Sequence, residues 1–333
     1  MPTSASIPDS LYYQAVFRSP HSVWLSCAAI ILLNIAMFYP SKIWQADLSA
    51  IGIHTQPQLA GMLLLFVLVP MWMFACFFVT QRHSLALARQ LEASNKTAQN
   101  ISAAIIKFPG RALASGLFGG LVYALAFNIP STQIDPALRG DWNSVSIILG
   151  QIFLWVCIGG LLFVRLHIAR IFSSLGKTIE FSLFEQSELQ PFARVGMLDV
   201  VIVVGSMAIA TVQSLDAQFR LENYLSAMLV ATPAAIALLV RPMWALHRRM
   251  ATRKVELGAE IDALIKSASE KTSLEEMHKL ELLLQRRDRV RSLNTWPLDI
   301  SIWRRLAFYV LIPPLAWIGA ALMEVVVSQT LGV

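Results

Sequence analysis

Charge is scarce in this sequence. Acidic and basic residues together make up 14% of 333 positions, whereas 56% are hydrophobic and mean hydropathy is positive. A soluble domain carries about a quarter charged residues, so lipid is the main solvent expected here. Cysteine is nearly absent too. Cys27, Cys76 and Cys157 each lie inside a long apolar run, where a small hydrophobic side chain is sufficient explanation and a disulfide framework is not expected. There is no Cys-x-x-Cys, His-x-x-x-His or Cys/His cluster, so neither a metal nor a cofactor is expected. His-Glu-x-x-His, Gly-x-Ser-x-Gly, a phosphate loop and paired intramembrane aspartates are missing as well, and Ser206 has no matching histidine, so the chain does not read as an enzyme. Its formal charge of +6 is spread between apolar runs and not gathered with stacking aromatics on one soluble domain, which argues against nucleic acid. No small-x-small cleavage site precedes Tyr39-Pro40, so the first apolar run is expected to stay in place.

What the sequence has in abundance is apolar runs. Crossing about 30 Å of hydrocarbon takes roughly 20 helical residues, and seven candidates of about that length stand out: residues 23–39, 59–80, 112–129, 145–164, 198–215, 224–240 and 306–327. The expected fold is therefore all-α, a polytopic bundle of about seven transmembrane helices. Lys and Arg accumulate on the cytoplasmic side of such a bundle. Of the 27 here, all but Lys42, Arg139 and Arg220 fall on the side of the amino terminus. One missed helix would invert every later loop, so the asymmetry supports the span assignment. It predicts an inner-membrane, bacterial-type protein with a cytoplasmic amino terminus and an external or periplasmic carboxyl terminus. Trp24, Trp244, Trp296 and Trp303 near one set of ends, with Tyr39, Trp44, Trp142 and Tyr224 near the other, suit the two headgroup levels.

The organisation expected along the chain is a cytoplasmic segment 1–22, a six-helix membrane region 23–240 with amphipathic connections 81–111 and 165–197, a basic helical hairpin 241–304, and a final span with an external tail, 305–333. Residues 84–108 repeat Leu87, Leu91, Ala98, Ile101, Ile105 and Phe108 near multiples of 3.6, predicting one amphipathic helix. Residues 172–192 predict a surface helix ending before Pro191. Within 243–292, the stripe Leu257, Ile261, Leu264, Ile265 and the stripe Leu274, Met277, Leu280, Leu283, Leu284 predict two helices parted by 267–271, the second opened by a Ser273/Glu276 capping box. The basic cluster Arg286, Arg287, Arg289, Arg291, Arg304 and Arg305 offers contacts for anionic headgroups or a protein partner. Three spans end in Arg82-His83, Arg165-Leu166-His167 and Arg241 with His247. The histidines are 84 and 80 residues apart, as a repeated unit would place them, but interfacial side chains explain them as well.

Inside the membrane, Ala112, Gly116, Gly120 and Ala124 form a small ridge for close helix packing. Pro70, Pro233 and the pair Pro313-Pro314 interrupt three spans and deprive the carbonyls of Phe66, Leu229, Tyr309 and Val310 of their amide donors, so kinks are expected. Glu324 is read as the one acid inside a span, which weakens a proton-coupled role. Asn34, Gln151, Gln213 and Thr232 are neutral groups able to line a path. The reading favoured is a non-enzymatic scaffold or accessory subunit that contacts lipids and a partner through the hairpin 243–292. The rival is a channel or facilitative transporter using the broken last helix, whose signature is a polar cavity at Pro313 with Gln151 or Gln213 facing it.

Overall fold

Apolar windows with no charge to stop them fold into helices that satisfy their own backbone, the solution lipid demands. The computed structural model describes residues 11–46, 48, 53, 55–95, 97–98, 100–129, 131–184, 186–214, 221–269, 274–296 and 304, and among these all regular structure is helical. In order these are α1 (Leu11–Tyr13), α2 (Ser22–Phe38), α3 (Gln56–Ser94), α4 (Ile101–Ile106), α5 (Gly110–Tyr123), α6 (Ser131–Leu138), α7 (Trp142–Leu175), α8 (Gln190–Ile209), α9 (Leu221–Ser269) and α10 (Leu274–Ser292). Five helical stretches are long and apolar enough to cross a membrane. A sixth is counted if residues Leu11–Arg18 and α2, bent by 105° at their junction, form one span. Residues 306–327, the seventh expected span, lie outside the described residues.

Three helices overrun their expected ends. The spans at 59–80, 145–164 and 224–240 belong to α3, α7 and α9, with 39, 34 and 49 residues, each of which passes its basic residues without a break. The two amphipathic connections are corrected accordingly. Residues 84–108 are not one helix: α3 ends at Ser94, Asn100 takes a left-handed φ of 67°, and α4 follows. Phe108, the last expected member of the stripe, is 53% exposed, but the stripe Leu87, Leu91, Ala98, Ile101 and Ile105 is buried nonetheless. It packs with Phe172, Leu175, Phe192, Met243, Leu246 and Met250 into a core that unites the carboxyl-terminal parts of α3 and α7, the start of α8 and the middle of α9. Residues 172–192 likewise form no surface helix. α7 runs on to Leu175, and the irregular stretch after it buries Ile179, Leu183 and Leu189 in the same core. Arg82 donates to the carbonyls of Val16 (2.8 Å) and Ser19 (2.6 Å), tying the first described residues to this end. A second core runs through the apolar windows, from Phe38 and Leu59 to Val164 and Ile202.

Pro70 and Pro233 sit inside helices that continue past them. At Pro70 the orphaned carbonyl finds a substitute, because the buried Asn34 amide donates to Phe66 O at 3.4 Å as well as to Ile30 O at 2.9 Å. The partner of the small ridge is α7 of the same chain. A Cβ at Gly116 would collide with the Gly159 carbonyl, and one at Gly120 with that of Trp155, so the two antiparallel backbones touch. Ala124 is fully buried at the end of this contact, where α5 passes into a π-turn, Ala124–Asn128.

α7 begins with a side-chain cap. Asp141 accepts from the backbone N–H groups of Asn143 (3.3 Å) and Ser144 (2.9 Å) and from the Ser144 hydroxyl (2.7 Å). Partial burial pushes its pKa up, but these bonds outweigh it and hold the carboxyl below its ordinary 3.8. A depressed carboxylate contributes stability above its unfolded pKa and loses it as pH falls through the folded value. Asp141→Ala should therefore cost about 1 kcal/mol at neutral pH, measured by detergent-solubilised thermal unfolding. The difference from wild type should shrink as pH falls through that depressed folded value.

Beyond its membrane window α9 packs with α10. Arg287 lies 3.2 Å from Asp262, and Lys254 Nζ donates to the carbonyls of Arg291 (2.7 Å) and Leu293 (2.6 Å), where a cation complements the negative helix end. His247 stacks on Trp296 at 4.1 Å between ring centroids. Its Nδ1 is 3.0 Å from the Thr295 carbonyl, which can only accept, so that nitrogen carries the proton. Ser273 and the Glu276 side chain, the expected capping box, lie outside the described residues.

Candidate functional site: an intramembrane cavity

Where α3, α7, α8 and α9 pass one another, they enclose a cavity of about 570 Å³. Its walls are mostly apolar, with Phe66, Met73, Leu154, Ile202 and Leu238 among them. Gln58, Asn128 and Gln133 line one end, Gln151 and Gln213 stand further in, and Arg165 with Asp199 lines the other end. From Gln151 to Arg165 along α7 is ~21 Å at 1.5 Å per residue, most of the ~30 Å hydrocarbon thickness.

The pair at this end is the most buried ion pair among the described residues. Arg165 Nε donates to Asp199 Oδ1 at 2.6 Å, and Arg165 Nη2 donates to Ser84 Oγ at 3.1 Å. Ser84 in turn donates to the Thr80 carbonyl at 2.7 Å. Arg165 is 3% exposed and Asp199 not at all. Burying such charges is costly unless they are paired, and here three helices supply the partners. Arg165 Nη1, Asp199 Oδ2, Gln151 Oε1 and Gln133 Oε1 find no partner among the described residues. Four residues that line one cavity thus each keep a polar atom for something else to satisfy.

Local sequence explains the placement. Asp199 follows Leu198 in a helix that Pro191 helps to start, and Gly196, one turn earlier, lets α8 press against the carbonyls of Leu238 and Leu239 on α9. Trp72 fastens the opposite side, with its indole N–H donating to Ile202 O at 3.1 Å while its ring covers Gly205.

No protein-family model, curated protein or solved structure matches this chain. The site is therefore read from its own chemistry. Among the described residues no group of three or more His, Cys, Asp or Glu is arranged to hold a metal.

Of the residues singled out in the sequence, Gln151 and Gln213 line the cavity, whereas Thr232 is exposed on α9. Arg286, Arg289 and Arg291 are exposed on α10, with the Arg289 guanidinium 5.9 Å from the Phe184 ring, and Arg287 is half-buried beside Asp262. Arg304 is exposed, and Arg305, Pro313, Pro314 and Glu324 lie outside the described residues. The reading of Glu324 as the one acid in a span is corrected, because Asp199 lies inside the expected span 198–215 and is completely buried in α8. Arg165, counted as a loop cation, is also inside the bundle. The available signal was a lone charge within an apolar window on each of two helices, since opposite charges in that setting need each other.

Proposed function

We propose that this protein is a channel or facilitative transporter for small uncharged or zwitterionic polar solutes. The observation that carries the reading is the long cavity whose buried lining residues Gln133, Gln151, Arg165 and Asp199 keep polar atoms without partners among the described residues. The lining ion pair is net neutral, so it suits a solute with both donors and acceptors and disfavours one with uncompensated charge. In this reading 306–327 is the seventh span, the basic end faces the cytoplasm, and the chain ends outside. Arg165 and Asp199 then close the cytoplasmic end of the path, held by Ser84.

Substituted-cysteine labelling tests this. With Cys27, Cys76 and Cys157 replaced, Gln151→Cys should react with a membrane-impermeant thiosulfonate about tenfold faster than Leu149→Cys on the exposed face, because the reactive thiolate needs water. Proteoliposomes should swell in glycerol, urea or glycine gradients, and labelling at position 151 should stop the swelling. Absence of labelling, or labelling in vesicles that pass none of the three solutes, would rule out a transport path.

A scaffold or accessory role through α9 and α10 is the second reading. It is favoured by apolar side chains left in the open there, Val255 (73% exposed), Met277 (65%), Leu282 (54%) and Leu264 (50%). In this view the pair is a cytoplasmic hairpin that recruits a protein. The full-length Met277→Glu/Leu282→Glu variant should then lose a partner that wild type retains in mild detergent. Identical co-purifying proteins would count against it.

A further inference from the structure

We infer that the groove between the end of α7 and the middle of α9 is a binding site for one anionic phospholipid. This site is separate from the cavity and does not depend on the transport reading. The groove measures about 1120 Å³, and five cations line it against two carboxylates. Two of those cations are already engaged. Arg253 pairs with Glu256 at 3.2 Å, and Arg249 donates to the carbonyls of Ile179 (2.7 Å) and Gly176 (3.2 Å) while covering the Phe181 ring. Arg249 therefore builds the wall. Lys177, Arg241 and Arg248 are exposed and have no acidic partner among the described residues, leaving three free cations opposite the single unengaged carboxylate of Glu180.

The order of chemistry along α9 points to a phospholipid in preference to a soluble anion. Ile236 and Val240 line the groove from within the apolar window, and Ile236 is 59% exposed. Arg241 follows at once, then Trp244, half-exposed, then Arg248 two turns beyond Arg241. Residues 237, 241, 244 and 248 share one helix face. The face thus presents, in sequence, a surface for acyl chain, a cation with an interfacial aromatic at glycerol and phosphate depth, and a second cation ~10 Å further out. Lys177 lines the same groove. A free phosphate would use the charges but leave Ile236, Val240 and Trp244 bare. A zwitterionic lipid would cover these but bring its own cation against the three in the groove.

This site differs from the expected one on α10, where Arg287 already has Asp262 and none of the arginines lines this groove. Basic pockets at the cytoplasmic ends of transmembrane helices are general anchors for anionic headgroups, each charge near the surface adding on the order of 1 kcal/mol.

The test is native mass spectrometry of the full-length protein in detergent, titrated with phosphatidylglycerol or phosphatidylcholine, with millimolar inorganic phosphate as competitor. Wild type should bind phosphatidylglycerol about tenfold or more tightly than phosphatidylcholine, and Arg241→Gln/Arg248→Gln should erase that preference. Arg241→Lys/Arg248→Lys keeps the charge and should keep the preference, which separates lost binding from lost fold. Equal affinity for the two lipids in wild type, or an unchanged preference in the Gln variant, would overturn the proposal. So would an equal loss in Arg286→Gln/Arg289→Gln, which would mean diffuse surface charge. Full displacement by phosphate would reassign the groove to a soluble anion.

Discussion

Asp199→Ala is expected to destabilise the protein by about 3 kcal/mol, the low end of the range for removing one partner of a buried ion pair. The loss has two parts. The Arg165 guanidinium, 3% exposed, stays inside the bundle with its Ser84 bond and no counter-charge. The cavity left behind also removes packing between α7 and α8. The low end applies because Arg165 and Asp199 each line the cavity and keep one atom with no partner among the described residues, so some solvation is available to the arginine left behind. Replacing both members by apolar residues of similar size, Arg165→Met/Asp199→Leu, should recover most of the stability, since the desolvation cost disappears with the charges. Denaturant titration in detergent measures both. In proteoliposomes the double variant should remain folded yet fail to pass the solute that wild type passes. If it transports normally, the pair is structural and the polar path lies elsewhere. If Asp199→Ala unfolds within 1 kcal/mol of wild type, the pair is hydrated from the bulk and is not a closure.

Gly116→Ala should be nearly as damaging, although it adds a single methyl group. Overpacking a core usually costs about 1–3 kcal/mol when side chains can yield. Here the colliding atom is the Gly159 carbonyl, with Phe163 Cβ 2.8 Å from the same point, so α5 and α7 must move apart as whole helices. The effect is expected at or above the top of that range, and Gly159→Ala, facing the Gly116 carbonyl, should match it. Gly119→Ala is the internal control. On the same helix, its added Cβ would meet nothing closer than the Phe163 ring at 4.0 Å, so the variant should fold like wild type or better, with the higher helix propensity of alanine. The recovery of monodisperse protein after size-exclusion chromatography, followed by a thermal melt, ranks the three. Equal behaviour of Gly116→Ala and Gly119→Ala would sink the close-contact account.

Membership of the helices was visible in the sequence because membrane spans are written in composition. Leu, Val and Phe runs near 20 residues long leave lipid as their expected solvent. Element ends were less visible. Residues 81–94 and 165–175 carry Arg and His and read as parts of the connections between spans, yet helical hydrogen bonding is indifferent to side-chain charge. Packing against α8 and α9 keeps α3 and α7 helical well beyond their apolar windows. The stripe from Leu87 to Ile105 was legible as a buried face, but its partner was not. Periodicity reports that a face must be covered, and Phe172, Phe192 and Met243 come from distant parts of the chain.

The site divides in the same way. Gln151 and Gln213 could be singled out by themselves, since a polar amide in an apolar helix always needs a reason. Arg165 was assigned to a boundary, because a charge at the end of a span can snorkel to water, and Asp199, one residue into the expected span 198–215, was overlooked. By itself the sequence determined the helical class and the apolar windows long enough to cross a membrane, which are additive properties of composition along one dimension. Only the tertiary structure decided that Arg165, Asp199 and Ser84 meet, that the Gly116 and Gly159 backbones touch, and that the cations at 177, 241 and 248 share one groove. Those are relations between residues far apart in the chain, set by how five helices cross.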